Sequence, residues 1–309
     1  MNLNNLADQV FWQIDNPSPG SDTIRIAGWA FRGCSPDKPI MLMHHANGIC
    51  GACWAEVAQA FASEFSIYAI DARGHGDSQR LRVPDDYDWS YFVSDLSGVA
   101  RSILQTSNQN RIAVGVGSSF GGIVTAAAAA QDPGLFQRVF MFDPPVHSTP
   151  DVLERLGVDV DLPNTDDRAG LVARTLRRRA VWDSRDAARA GWREKPLFAP
   201  WQDAAFDLYL QHGMGDLEDG TVRLKCDPTV EAHIFETTGS LHVMDYAEQV
   251  QVPVHLVHAE HGFFSGVFFR ALSECFPQGE FGQLPGGHML PLEVPDLVVD
   301  FMRVRLDRR

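Results

Sequence analysis

A turn built almost wholly from glycine and serine, GVGSSFGGIV at residues 115–124, is the part of the sequence best suited to chemistry. It follows an apolar run, RIAV, and precedes an alanine-rich run, so a strand, a tight turn and a helix are predicted. A dinucleotide-binding turn would need a third glycine where Phe120 stands, and a P-loop would need a Lys-Ser/Thr pair that is absent. The pattern that fits is Gly117-x-Ser119-x-Gly121, which presents a serine hydroxyl from a strained strand-to-helix turn.

The segments that must position this serine alternate between strand and helix patterns. Such an alternation indicates an α/β fold, a mainly parallel sheet covered by helices on both faces. Eight segments are predicted as strands: VFWQI, TIRIAGWAF, PIMLMHH, SIYAID, RIAVGV, RVFMFD, VPVHLVH and GEFGQLPG. Five segments have helical spacing of apolar residues: WAEVAQAFASEF, DWSYFVSDLSGVARSILQT, GIVTAAAAAQ, FSGVFFRALSECF and DLVVDFMRVRL.

The interval 147–249 breaks the alternation. We predict a helical insertion, a cap or lid, between the sixth and seventh strands, with residues 1–146 and 250–309 forming the core domain. The insertion is rich in arginine and tryptophan, and its run Arg177–Arg179 suits either a bound acidic substrate or a solvated helix face. The solvated face is the favoured interpretation, because long charged side chains are common on surfaces.

Composition limits the expected partners and location. The 309 residues carry a formal net charge of −14, which argues against nucleic acid and anionic membrane surfaces, since both require a basic face. The N-terminal residues lack a signal-peptide pattern, and no apolar run approaches the roughly 20 residues of a membrane span. Five cysteines do not resemble a disulfide framework. A cytoplasmic protein acting on a small molecule is expected, and its oligomeric state stays open.

Two cysteines, Cys50 and Cys53, have the CxxC spacing of metal and redox sites. A structural metal site needs about four ligands, and no second pair at suitable spacing follows. We therefore expect packed thiols, with neither a metal nor a cofactor.

Three further segments, together with the serine turn, complete a resemblance. They are HHANG at 44–48, DARGHGDS at 71–78 and LPGGHMLPLEVPDLVVDFM near the C-terminus. From about Pro39 to Phe301, the chain resembles the α/β-hydrolase fold family. The resemblance implies a serine hydrolase that requires no cofactor or metal.

The resemblance also implies residue roles. Ser119 occupies the position of the nucleophile, and His288, in a Gly-Gly-His loop after the last strand, that of the general base. The backbone N–H groups of Phe120 and Asn47 match the donors that stabilise the oxyanion. The loop of Asn47 carries an alanine where the family usually has glycine.

The third member of the triad is open between two carboxylates. Most family members carry an aspartate after the seventh strand, and here Gly262 stands at that position. Asp143 ends the sixth strand, from which some relatives take the acid, whereas Glu260 lies close to the usual position. Asp143 is the favoured candidate.

The serine at the turn favours acyl transfer, because epoxide hydrolases and dehalogenases of this fold carry a carboxylate there. We expect an esterase for small to medium apolar esters. A C–C bond hydrolase with the same triad and a non-catalytic ligand receptor are the alternatives. Aromatic residues that would contact an apolar group, or else pack in the core, are Trp182, Trp192, Trp201, Phe263, Phe264, Phe268 and Phe269.

Overall fold

The computed structural model describes residues 3–146, 149–159 and 166–307. Within these ranges the strands are β1 (Ala7–Asp15), β2 (Thr23–Phe31), β3 (Ile40–His44), β4 (Ser66–Ile70), β5 (Val114–Ser118), β6 (Val139–Phe142), β7 (Val181–Trp182), β8 (Met214–Asp216), β9 (Val222–Leu224), β10 (Val254–Ala259) and β11 (Gly279–Leu284). The α-helices are α1 (Ala55–Phe61), α2 (Trp89–Gln105), α3 (Phe120–Gln131), α4 (Pro150–Leu156), α5 (Asp166–Leu176), α6 (Arg185–Trp192), α7 (Asp203–His212), α8 (Pro228–Glu236), α9 (Gly266–Ser273), α10 (Leu290–Glu293) and α11 (Pro295–Leu306). Short 3-10 helices lie at Leu3–Asn5, Gly51–Trp54, Val243–Asp245 and Ala247–Gln249.

The central sheet has eight strands in the order β1-β2-β4-β3-β5-β6-β10-β11. β2 is antiparallel to both β1 and β4, and the other neighbours are parallel, as the alternating pattern predicts. The α/β-hydrolase fold expected from the sequence is confirmed.

Strand register brings separate loops together at one edge of this sheet. His44 pairs with Gly117, Ser118 with Phe142, and Phe142 in turn with Val257. Because these strands are parallel, the loops that follow β3, β5, β6 and β10 leave the sheet side by side. Ligands of open α/β sheets bind at such a carboxyl edge.

Helices pack against both faces of the sheet and form two separate apolar cores. These cores hold in place the strands whose carboxyl ends form the edge described above. One core packs α2, α3 and α9 against the sheet, and the other packs α1 and α11 on the opposite face. Strands β3, β5, β6 and β10 are buried at every position, which explains their continuous apolar sequences.

The chain between β6 and β10 contains helices α4 to α8 and a second, three-stranded antiparallel sheet in the order β7-β9-β8. The segment predicted as a helical insertion thus contains, in its described part, three short strands beside its helices. Residues 147, 148 and 160–165, which belong to the predicted insertion, lie outside the described ranges.

Within the described ranges the longest helix is α2, with 17 residues. Among the described residues, none of the helices has the length and apolar character that crossing a bilayer requires.

Candidate active site

Ser119 lies in the turn between β5 and α3 with φ 51° and ψ −124°. This left-handed φ is strained for a residue with a side chain, so surrounding contacts must hold it. Its N–H donates to the Phe142 carbonyl at 2.8 Å, and its own carbonyl accepts from the Gly122 N–H at 2.8 Å. A Cβ on Gly117 would lie 2.2 Å from the Gly121 carbonyl oxygen, so the glycines of the motif are sterically required.

His288, in the loop after β11, connects Ser119 to a carboxylate. Its Nε2 lies 2.9 Å from the Ser119 Oγ, and its Nδ1 lies 2.6 Å from the Asp143 Oδ2. A carboxylate on Nδ1 fixes the tautomer in which Nε2 is free to accept a proton from the hydroxyl. The arrangement can therefore deprotonate Ser119 as it attacks.

Glu293 holds the histidine loop, and sequence analysis did not single it out. Its two carboxylate oxygens accept from the N–H groups of Gly287 at 2.6 Å and Met289 at 3.0 Å, on either side of His288. Charge-assisted hydrogen bonds of this kind are stronger than neutral ones. The sequence offers one sign of this role, an acidic residue shortly after the histidine. Only the fold of α10, which returns Glu293 to the loop, shows that its carboxylate binds the backbone there.

Asp143 is fully buried at the end of β6. Its N–H donates to the Val257 carbonyl at 2.7 Å, and its Oδ1 accepts from the Ala259 N–H at 2.9 Å. Its φ of 43° is, like that of Ser119, unusual for a residue with a side chain. Strand β10 therefore holds one carboxylate oxygen while the other faces the imidazole.

The structure brings Asp143, and not Glu260, to His288. Glu260 is exposed after β10, and its carboxylate has no hydrogen bond or ion pair with another described residue. A Cβ built on Gly262, where the resemblance places the acid, would lie 2.8 Å from the Asp143 Oδ2. The Asp143 carboxylate thus fills the space that a side chain at position 262 would need.

The loop of residues 45–48, which we call the Asn47 loop, lies beside the serine turn. A Cβ on Gly121 would come within 2.4 Å of the carbonyl oxygen of His44, directly before this loop. The Gly48 N–H donates to the His75 Nε2 at 3.0 Å. In contrast, the N–H groups of Phe120 and Asn47 donate to no acceptor within the described ranges. Unused N–H donors near a nucleophile are what an oxyanion site requires.

Three histidines around the Asn47 loop are buried and neutral. Burial lowers the pKa of His44 to about 4 and the pKa of His45 and of His75 to about 3, and neighbouring imidazoles contribute. The Nε2 atoms of His45 and His75 accept backbone N–H bonds, so their Nδ1 atoms donate to main-chain carbonyls. These histidines serve as fixed hydrogen-bonding groups, a role that sequence analysis did not assign to His75.

A family model described as the alpha/beta hydrolase family matches residues 41–301, most of the chain. This chain belongs to that family.

Two curated relatives match parts of the chain. Pimeloyl-[acyl-carrier protein] methyl ester esterase of Vibrio cholerae is 25% identical over 120 residues, 39% of this chain and 34% of that protein. Epoxide hydrolase 1 of Caenorhabditis elegans is 28% identical over 105 residues, 34% of this chain and 25% of that protein. The alignments thus span about a third or less of the length of these relatives.

A solved structure, that of E-2-(acetamidomethylene)succinate hydrolase, matches with a TM-score of 0.75. The match covers 97% of this chain and 100% of that chain at 19% identity. At this identity the similarity shows a shared alpha/beta hydrolase fold.

The phenylalanines after β10 divide into two groups. Phe268 and Phe269 are buried in the core, on the inner side of α9. Phe263 is 72% exposed, with its ring centroid 5.3 Å from that of His288, and the Phe264 ring lies 6.2 Å from the same imidazole. Of these four phenylalanines, Phe263 and Phe264 are therefore the two that place aromatic surface beside His288.

The arginine run also divides. Arg177 and Arg179 are exposed, as the favoured interpretation expects. Arg178 instead forms an ion pair with Glu231 at 2.6 Å, with side-chain exposures of only 17% and 8%. The prediction of a solvated helix face was therefore wrong for Arg178.

Cys50 and Cys53 are both buried, with their Sγ atoms 3.8 Å apart. The contact with Cys53 and burial raise the pKa of the Cys50 thiol, which keeps it protonated. In the described part of the chain, no group of three or more His, Cys, Asp or Glu side chains is placed to hold a metal ion.

Proposed function

We propose that this protein is a serine hydrolase that cleaves carboxylic esters through an acyl-enzyme. The observation that carries the proposal is the continuous contact from Asp143 through His288 to Ser119, over distances of 2.6 and 2.9 Å. In this mechanism Ser119 attacks the ester carbonyl carbon while His288 takes the hydroxyl proton. Asp143 stabilises the imidazolium that forms.

The N–H groups of Phe120 and Asn47 are proposed to stabilise the oxyanion of the tetrahedral intermediate. When this intermediate collapses, the alcohol leaves with the proton that His288 carries. A water molecule then attacks the acyl-enzyme and loses a proton to His288. When this second intermediate collapses, His288 returns the proton to the Ser119 Oγ and the acid is released.

The proposed substrates are esters with small to medium apolar acyl or alcohol groups. Phe263 and Phe264 support this proposal because they place aromatic surface beside His288. We assign the segment 147–249 as a cap that shapes this pocket. A hydroxyl at position 119, rather than a carboxylate, favours acyl transfer over the opening of epoxides.

Covalent labelling tests the nucleophile. A fluorophosphonate should modify Ser119, and Ser119→Ala should lose both labelling and ester hydrolysis, a loss on the order of 10⁴ or more in kcat. Ser118→Ala is the matched control, because this serine adjoins Ser119 at the end of β5. It should keep labelling, and label found on Ser118 in the unmodified protein would contradict the assignment.

A substrate panel tests the reaction. p-Nitrophenyl esters from acetate to dodecanoate, measured beside a vinylogous diketone, separate ester cleavage from cleavage of a C–C bond. Turnover of the diketone alone would favour the C–C bond hydrolase, and binding without turnover of any compound would favour a receptor.

A further inference from the structure

We infer that Glu231, held by Arg178, is a positioning residue for the Asn47 loop. The inference rests on the proposed function, since it concerns the proposed oxyanion donor of that loop. Glu231 lies in α8, within the segment between β6 and β10, whereas the loop follows β3 in the core sheet.

The Asn47 side chain is held through its amide nitrogen. Its Nδ2 donates to the main-chain carbonyl of Glu231 at 2.9 Å. Asn47 is buried, so this hydrogen bond ties its backbone, including the proposed N–H donor, to α8.

The Glu231 carboxylate contacts the same loop one residue further on. Gly48 has φ +76°, and a Cβ there would lie 2.6 Å from the Glu231 Oε1. The carboxylate thus packs directly against the Gly48 backbone, which only glycine permits. The N–H of the same residue, Gly48, donates to the His75 Nε2 at 3.0 Å.

A buried carboxylate of this kind is costly unless it is paired. Arg178 supplies the pairing, because it lies 2.6 Å from the Glu231 Oε2 and also donates to the Tyr209 hydroxyl at 2.6 Å. The guanidinium faces the Trp192 ring at 5.3 Å, which restricts it further. Arg178 therefore fixes the position of Glu231, and Glu231 in turn fixes the loop.

The consequence is that the oxyanion donor is aligned from two sides, by His75 in the core and by Glu231 in α8. Small misplacements of a reacting group cost rate even when the mutated residue is remote from the reacting atoms. Removing the contacts between α8 and the Asn47 loop should therefore lower kcat. The affinity for the ground-state substrate should stay nearly unchanged.

Asn47→Ala is the most direct test, because it keeps the backbone N–H and removes the side-chain hydrogen bond to the Glu231 carbonyl. We expect kcat for a p-nitrophenyl ester to fall about 10- to 100-fold, with KM changing less than about 3-fold. Glu231→Ala should have a similar effect. Glu231→Gln should restore kcat to within about 3-fold, since the amide has the same shape and can still accept from Arg178.

A double variant separates positioning from general damage. If both residues act through the loop, Asn47→Ala combined with Glu231→Ala should lose no more kcat than the worse single variant. A trifluoromethyl ketone, whose adduct with Ser119 carries an oxyanion, should bind these variants more weakly in proportion to the loss of kcat. Asp216→Asn breaks an exposed ion pair with Arg185 in the same insertion and should leave kcat within about 2-fold.

The outcomes are distinguishable. Variants that lower only the melting temperature, or losses that multiply in the double variant, would overturn this inference and leave the serine mechanism standing. An unmodified protein that hydrolyses no ester and is not labelled at Ser119 would overturn the proposed function, and this inference with it.

Discussion

The Ser119, His288 and Asp143 trio and the Asn47 loop lie at the same edge of the sheet, but they are held in different ways. Ser119 and Asp143 sit directly at strand ends, where neighbouring strands satisfy their backbone N–H groups. The Asn47 loop is held by side-chain contacts instead. The His75 side chain accepts the Gly48 N–H, and the Asn47 side chain donates to the main-chain carbonyl of Glu231 in α8.

The core sheet therefore positions the trio by itself, whereas the Asn47 loop also needs contacts from the segment between β6 and β10. His288 contacts both Ser119 and Asp143 directly, and each of the three residues follows a strand of the core sheet. The proposed oxyanion loop depends in addition on Glu231 and Arg178. A change in α8 should therefore disturb the stabilisation of charge while leaving the nucleophile and base in place.

The largest expected effect concerns the carboxylate of the trio. Asp143→Asn keeps the shape of the side chain and removes the charge that stabilises the imidazolium. We expect kcat to fall on the order of 10² to 10⁴, the upper value being the loss of about 10⁴ seen for the same substitution in a serine protease. Glu260→Gln is the matched control and should change kcat less than about 2-fold, because Glu260 is exposed and has no described partner. The reverse result would show that the acid follows β10.

A second test moves the carboxylate from position 143 to position 262. Asp143→Gly, which tolerates the positive φ, combined with Gly262→Asp should recover at least about 10-fold over Asp143→Gly alone, because a side chain at 262 projects toward the same space. Gly262→Asp by itself should lower kcat, since two carboxylates would then crowd His288. Recovery of no activity would mean that the strand-end backbone at 143 is itself required.

A smaller effect concerns the pH dependence of stability near the Asn47 loop. Burial lowers the pKa of His75 to about 3, whereas an unfolded histidine titrates near about 6.5. The unfolded state therefore binds more protons between these values. The contribution of His75 is fully present above about pH 6.5 and is lost as the pH falls toward 3.

His75→Gln should remove this contribution. The slope of the unfolding free energy against pH should decrease by up to about 1.4 kcal/mol per pH unit between pH 6 and 4, measured by urea denaturation. The variant should also be less stable than the unmodified protein at pH 7.5. A slope equal to that of the unmodified protein would show that His75 is not held neutral by the fold.

The smallest effect concerns Phe263, which belongs to neither region but borders the trio. Phe263→Ala should raise KM several-fold for p-nitrophenyl octanoate and change KM for the acetate little, because only the longer chain reaches the exposed ring. The free energy of unfolding should stay within about 0.5 kcal/mol, since the side chain is 72% exposed. An equal change for both esters would remove Phe263 from the proposed acyl or alcohol pocket.

Local patterns in the sequence predicted much of this molecule. The eight sheet strands and the five helices named from the sequence are present, because each is encoded by the spacing of apolar residues over a few turns or a single strand. The glycines around Ser119 likewise follow from the tightness of one turn. The segment between β6 and β10 was predicted less well, because its two- and three-residue strands are too short to show alternation.

The sequence by itself determined the fold family, the serine at the turn and a histidine in the last loop, since each is written in a contiguous motif. It left Asp143 and Glu260 as alternatives, and it gave no sign that Glu231 or Glu293 contacts the site. Only the tertiary structure shows which of these side chains are in contact. Asp143 and His288 are 145 positions apart, and Asn47 and Glu231 are 184 apart. Only the pairing of β6 with β10 and the packing of α8 bring them within hydrogen-bonding distance, and no local pattern encodes a contact between segments so distant in the chain.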